Sequence, residues 1–179
     1  MREIIILGRG GQGAQTAGNQ LAQAFYAEGK FVQTFATYGG ARRGTPVTSS
    51  IRVDDKPVRR RCNIERASAM LCFDGSLLDA NFLRNVDSET VIVVNTAKGR
   101  DAFDALGDYR IVTVNGAEIA RRFDMGKVVN SALLGAFVAT LDQPGIKTMC
   151  GVIEQTAPAK KQQNIAACQY AYDQARGAI

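Results

Sequence analysis

The sequence has no histidine and no tryptophan, only four prolines, and four cysteines of which no two form a Cys-x-x-Cys pair. Each absence excludes a class of chemistry. Without histidine there is no Ser–His–Asp or Cys–His nucleophile system, no His-ligated zinc and no imidazole base within this chain. Any acid–base work falls to carboxylates, lysine, tyrosine, cysteine or another chain. An iron–sulfur cluster needs clustered thiolates, and Cys62, Cys72, Cys150 and Cys168 are scattered. No apolar run approaches the roughly 20 residues that span a bilayer, so no membrane insertion is expected. The chain opens Met1-Arg2-Glu3 and enters a short apolar run directly, which leads us to expect a cytoplasmic protein with reduced thiols.

What is present describes an ordinary globular chain. Its 179 residues suit one domain, spanning 1–179. At 46% apolar and 22% charged it has apolar residues enough for a core and no signature of disorder. The net charge of +5 favours anionic partners: phosphate groups, an acidic protein or nucleic acid. The charge is mild for a nucleic-acid binder, and its one basic run, Arg59-Arg60-Arg61, reads as a solvated face or a subunit contact. No nucleic-acid partner is expected.

The apolar pattern alternates between strand and helix periods. Ile4–Leu7 reads as a buried strand, residues near 13–28 as an amphipathic helix closing near Gly29, and Phe31–Thr37 as a second strand. Val47–Val53 reads as a strand, with Val58 onward returning as a hairpin after the Asp54-Asp55-Lys56-Pro57 turn. Short strands are expected at Ala69–Phe73, Thr90–Val94 and Ile111–Val114, with helices near 77–83, 117–123, 131–141, 148–155 and 160–175. The order predicts an α/β fold: one Rossmann-like domain, a mostly parallel sheet with helices on both faces, and a β-hairpin insertion.

Two loops carry the chemical signal. In Gly8-Arg9-Gly10-Gly11-Gln12-Gly13, the glycines at 8, 10 and 13 match the spacing of dinucleotide-binding turns, between a strand and a helix. Glycine there permits a tight turn and brings backbone amides close to an anion. A nicotinamide site also wants an acid at the end of the second strand, and Phe31–Thr37 supplies none. The second loop, Tyr38-Gly39-Gly40-Ala41-Arg42-Arg43-Gly44-Thr45-Pro46, follows the second strand, so both loops are expected at the carboxyl edge of the sheet. Arg42 and Arg43 could clamp a carboxylate or phosphate there. Asp74 and Asn95 also fall at strand ends, as cleft-lining or capping residues. Asn130 reads as the N-cap of an apolar helix in which Gly135 allows close packing.

Taken in order, the Gly-Gly-Gln-Gly turn, the Tyr-Gly…Arg43-Gly44 loop and the Asn130-x-x-Leu-Leu-Gly-Ala helix start resemble the gamma subunit of 2-oxoacid:acceptor oxidoreductases, typified by pyruvate:ferredoxin oxidoreductase. The second loop departs from that family's common Tyr-Gly-Pro-Glu-x-Arg-Gly-Gly: Gly40 replaces the proline, Ala41 the glutamate and Thr45 the last glycine. The resemblance implies a non-redox subunit of a thiamine-diphosphate-dependent complex that oxidatively decarboxylates a 2-oxo acid to an acyl-CoA. It further implies that alpha and beta subunits bind thiamine diphosphate and magnesium, and that a ferredoxin-like delta or other electron-transfer subunit bears the iron–sulfur clusters. No cofactor is held firmly by this chain, and coenzyme A enters as co-substrate. It implies no catalytic residue and no metal ligand here, but a binding edge made of Gly8, Gly10, Gly11, Gln12, Gly13, Arg42, Arg43 and Gly44. The glycine spacing alone leaves another reading open, a free-standing dinucleotide-binding protein or small NAD-dependent reductase.

Overall fold

A computed structural model describes residues 1–40 and 44–178, with the side chain of Ala178 left aside. Its centre is a six-stranded sheet in the order β2-β3-β1-β4-β5-β6. The strands are β1 (Arg2–Arg9), β2 (Phe31–Tyr38), β3 (Pro46–Asp54), β4 (Ala69–Cys72), β5 (Val91–Asn95) and β6 (Arg110–Val114). The β1–β4, β4–β5 and β5–β6 pairs are parallel. β3 runs antiparallel to both neighbours, β1 and β2. Five of the six strands therefore point one way.

The expected hairpin exists, but with a different partner. β3 folds back on β2, in register from Phe31↔Asp54 to Tyr38↔Val47, while residues 58–68 form no strand. The reason is Arg52, which points into the protein from β3 and is fully buried. Its guanidinium bonds the carbonyls of Arg60 (3.4 Å) and Cys62 (2.8 Å), drawing that segment over the sheet as a strap. The same group pairs with Glu3 on β1 at 2.7 Å and reaches Gln33 on β2 at 3.3 Å.

Alternation along the strands divides the core into two. Ile4, Ile6, Ile51 and Leu71 face one layer of helices. That layer holds α1 (Ala14–Ala27), α3 (Gly116–Arg122), α4 (Asn130–Ala139), α5 (Ile146–Thr156) and α6 (Lys161–Ala178). Ile5, Leu7, Met70, Ile92 and Val94 face the other side. There the cover is thinner: the strap residues Ile64 and Ala67, the 3₁₀ turns Gly75–Leu77 and Arg100–Leu106, and the one-turn α2 (Ala80–Leu83). α4 is buried from Ser131 to Ala139, between the sheet and α6. A helix buried all round cannot show an amphipathic stripe, and Ser-Ala-Leu-Leu-Gly-Ala-Phe-Val-Ala has none. Among the described residues no helix is long and apolar enough to cross a membrane.

This topology fixes where a site can be. After β1 the chain passes to the first face through α1, and after β4 it passes to the second through Gly75–Leu77. β1 and β4 are parallel neighbours. The crevice outside their carboxyl ends is therefore a topological switch point, where open α/β sheets bind ligands.

Candidate functional site

The switch point is occupied by the glycine turn. Gly8 ends the buried part of β1, and a Cβ there would stand 2.9 Å from that of Ala14, so only glycine lets helix and strand meet this closely. Gly13 has φ +89 and acts as the left-handed N-cap of α1, without a side-chain cap. Gly11 also has positive φ, +93, but faces open space.

Three distant segments hold this turn in shape. From the second loop, Gly10 N–H donates to the Thr45 carbonyl (2.9 Å) and Gly44 N–H donates to the Gly10 carbonyl (3.3 Å). From the end of β4, Asp74 accepts from Arg9 Nε at 2.8 Å and from Gln12 Nε2 at 3.4 Å. From α4, Asn130 Nδ2 donates to the Gly13 carbonyl at 2.9 Å. A Cβ on Gly13 would collide with that Asn130 amide. The N-cap of α4 is Val129 and it makes no side-chain cap, so Asn130 is not the cap its sequence position suggests; it is a tie to the glycine turn.

Arg9 is the hub, a residue that sequence reasoning passes over as the filler between two glycines. Beyond Asp74, its guanidinium donates to the Gly44 carbonyl (3.2 Å) and to Ser76 Oγ (2.9 Å). It is thus engaged by internal acceptors and works as a clamp. Burial works to raise the pKa of the Asp74 carboxyl. The bonds from Ser76, the Arg9 bond and the Arg9 charge together outweigh that and hold it below the usual carboxylate value. The ion pair is therefore intact at neutral pH. Next to it, burial pushes the Cys72 thiol up to about 12, keeping it protonated as it donates to the Asp74 carbonyl at 3.1 Å.

The structure thus brings together Gly8, Gly10, Gly11, Gln12, Gly13 and Gly44, with Asp74 and Asn130 as supports. Arg42 and Arg43 lie outside the described residues. Asn95 sits one strand further along, bridging the Phe73 carbonyl (3.0 Å) and the Gly116 amide (3.0 Å) in a structural tie. Gln12 is engaged on both sides: its Oε1 accepts from Arg9 N–H at 2.7 Å while its amide nitrogen faces Asp74. Its contribution is to the shape of the turn. The amides of Gly11 and Gly13 have no internal acceptor among the described residues. They stand at the positive end of α1, able to receive an anionic group.

The edge departs from a nicotinamide site in one respect that geometry makes plain. β3 separates β2 from β1, so the end of β2 lies about one strand spacing, ~4.8 Å, further from the turn than in a dinucleotide fold. That strand end also carries Tyr38 and no acid. Two concavities lie along β6. One of about 510 Å³ is bounded by Tyr109, Arg110 and Arg176, and another of about 420 Å³ by Asn115, Arg122 and Tyr170. Neither contains a residue of the glycine turn. Among the described residues no cluster of acidic, cysteine or histidine side chains could hold a metal.

Comparison with known proteins covers almost the whole chain. Residues 3–174 match the family described as Pyruvate ferredoxin/flavodoxin oxidoreductase. The chain is 34% identical over 176 residues to the pyruvate synthase subunit PorC of Methanothermobacter thermautotrophicus, covering 97% of this chain and 96% of that one. It is 34% identical over 178 residues to the pyruvate/ketoisovalerate oxidoreductases common subunit gamma of Pyrococcus furiosus, again covering 97% and 96%. The crystal structure of pyruvate oxidoreductase subunit PORC from Thermotoga maritima superposes with a TM-score of 0.84 at 27% identity, over 96% of this chain and 95% of that one. A 2-oxoglutarate:ferredoxin oxidoreductase chain from Magnetococcus marinus shares the fold, with a TM-score of 0.79 at 19% identity. There the match covers 99% of this chain and 31% of the larger one.

Proposed function

The chain belongs to the pyruvate ferredoxin/flavodoxin oxidoreductase family as a gamma-type subunit of an oxidoreductase complex, and we propose that residues 1–179 act within it as one non-redox domain. The complex oxidatively decarboxylates a 2-oxo acid and passes the acyl group to coenzyme A. Alpha and beta subunits hold the thiamine diphosphate and magnesium that perform the decarboxylation. A ferredoxin-like delta or other cluster-bearing subunit takes the electrons. This chain supplies the edge on which the anionic acyl acceptor is received.

The observation that carries this reading is the convergence of the three motifs on one switch-point crevice: the glycine turn, the Gly44–Thr45 backbone and Asn130. The crevice's chemistry suits an anion: the amides of Gly11 and Gly13 stand at the start of α1, and Arg42 and Arg43 directly precede Gly44 in the sequence. Gly8, Gly10, Gln12 and Gly44 contribute by keeping those donors in place. The chain has no histidine, and no cysteine of it is assigned an electron-transfer role.

The test is the complex purified through this chain and assayed with a panel of 2-oxo acids. Arg43→Ala leaves the complex assembled, lowers turnover and raises the coenzyme A concentration for half-saturation roughly tenfold or more, the cost of one charge-assisted hydrogen bond. An unchanged coenzyme A dependence removes that role from Arg43. A chain that purifies alone, colourless and without thiamine diphosphate, removes the subunit reading.

A further inference from the structure

The two edges of the sheet are managed differently. β6 is five residues long, opens on Arg110 and is flanked by Arg100 and Asp108, charges that discourage strand addition. β2 has none of these protections. It is eight residues long, Phe-Val-Gln-Thr-Phe-Ala-Thr-Tyr, without charge or proline. It runs in unbroken register with β3, so no bulge turns it aside. Among the described residues it pairs with β3 alone, which leaves one row of its N–H and C=O groups unpaired. Phe31 and Tyr38, at its two ends, are 46% and 61% exposed. A long, unbulged, uncharged edge is a template for another strand.

The charge beside this edge says what kind of strand fits. Arg52 holds the strap to the sheet and touches Gln33 of β2 and the Arg60 carbonyl with the same nitrogen, so the strap passes one side chain away from β2. Arg59, Arg60 and Arg61 are exposed on it. Among the described residues no carboxylate stands within ion-pair distance of any of the three. Three uncompensated cations lie next to an uncharged, unpaired edge. A second copy of this chain is a poor occupant, because edge-to-edge pairing brings two such straps together on two chains of net charge +5. A strand added there lies on the side of β2 away from β3 and β1, so it extends the sheet without covering the glycine turn.

We propose that the free edge of β2, with the Arg59–Arg61 strap beside it, docks an extended acidic segment of a partner subunit as a seventh strand of this sheet. The backbone edge gives affinity and the arginines give selection and salt dependence. The inference rests on the subunit reading above, and one experiment separates the two. Hydrogen exchange is followed by mass spectrometry in the isolated chain and in the purified complex, alongside an Arg59→Glu, Arg60→Glu, Arg61→Glu variant whose unfolding midpoint is checked against wild type. Peptides covering 31–38 are expected to exchange roughly 100-fold more slowly in the complex. The variant is expected to bind the other subunits at least about tenfold more weakly at low salt, with the difference fading at high salt. A complex that forms with β2 exchanging as fast as in the free chain overturns the docking edge. So does a reversal variant of wild-type affinity, or a homodimer that protects β2. A chain that joins no complex overturns the subunit reading first, and this inference with it.

Discussion

Gly11 and Gly13 stand two residues apart, both with positive φ, and they are not equivalent. Gly11 faces open space, whereas Gly13 has the Asn130 amide against its Cα. Gly11→Ala therefore carries only the backbone penalty, about 1 kcal/mol. Gly13→Ala adds a collision that severs the tie to α4, for a total of about 1–3 kcal/mol. Urea unfolding of the two variants checks the order; equal losses would remove Asn130 from the support of the turn. Cys72 allows a second prediction. Its folded thiol titrates at about 12 against an ordinary value of 9.0, because it is buried. The folded state holds the proton that the unfolded chain loses. Stability is therefore complete below about pH 9 and falls by roughly 1.4 kcal/mol per unit as pH rises towards 12. Denaturant unfolding at pH 8 and 10.5 reads this slope, and Cys72→Ala lacks that part of it. Both effects come from what a residue touches, and that is where the sequence was least informative. Asn130 and Asp74 carry no local mark of being partners of residues 13 and 9. Arg52, fully buried, sits in a stretch whose sequence reads as a strand with no sign of where its charge goes. Its burial depends on Glu3, Gln33 and the strap carbonyls arriving together.

At the scale of the element, period and punctuation were enough. Ile4–Leu7, Val47–Val53 and Thr90–Val94 are short β-branched runs, and each is a strand within two residues of its expected limits. Ala17, Leu21, Ala24 and Phe25 recur at helical spacing and form the buried face of α1. The pairing of strands was the part that did not show. Val58 onward has the residue types of a returning strand, but its path is set by a cation on the preceding strand rather than by its own pattern. The insertion of β3 between β1 and β2 is a tertiary choice of the same kind. Packing of α4 yields the element-scale prediction. Gly135 lies so close to α6 that a Cβ would strike the Cys168 carbonyl oxygen. Backbone cannot yield as a side-chain tip does, so Gly135→Ala forces the two helices apart at about 1–3 kcal/mol or more. Thermal unfolding measures the loss, and a variant as stable as wild type would mean that α6 shifts without cost.

At the scale of the whole molecule, the sheet is covered unequally. One face carries five helices, and the other carries 3₁₀ turns, a one-turn helix and a strap tied down by Arg52, Asn85 and Thr90. The glycine turn opens at the junction of these two halves, and the exposed edge of β2 lies beyond β3 from it. Such asymmetry suits a component whose thin side and bare edge are completed by neighbours, which is how the docking prediction would be read in the complex. The turn also depends on residues far along the chain: Arg9 reaches Asp74 across 65 positions, and Asn130 reaches Gly13 across 117. A nascent chain leaves the ribosome amino end first, so residues 8–13 emerge early and wait. Their last brace exists only when residue 130 has been made and its helix has settled. An incomplete or damaged copy, even one with its first strand and helix in order, cannot present a finished glycine turn, the edge we propose for binding. Partners that recognise that edge would thereby assemble only with finished copies, with no separate inspection step.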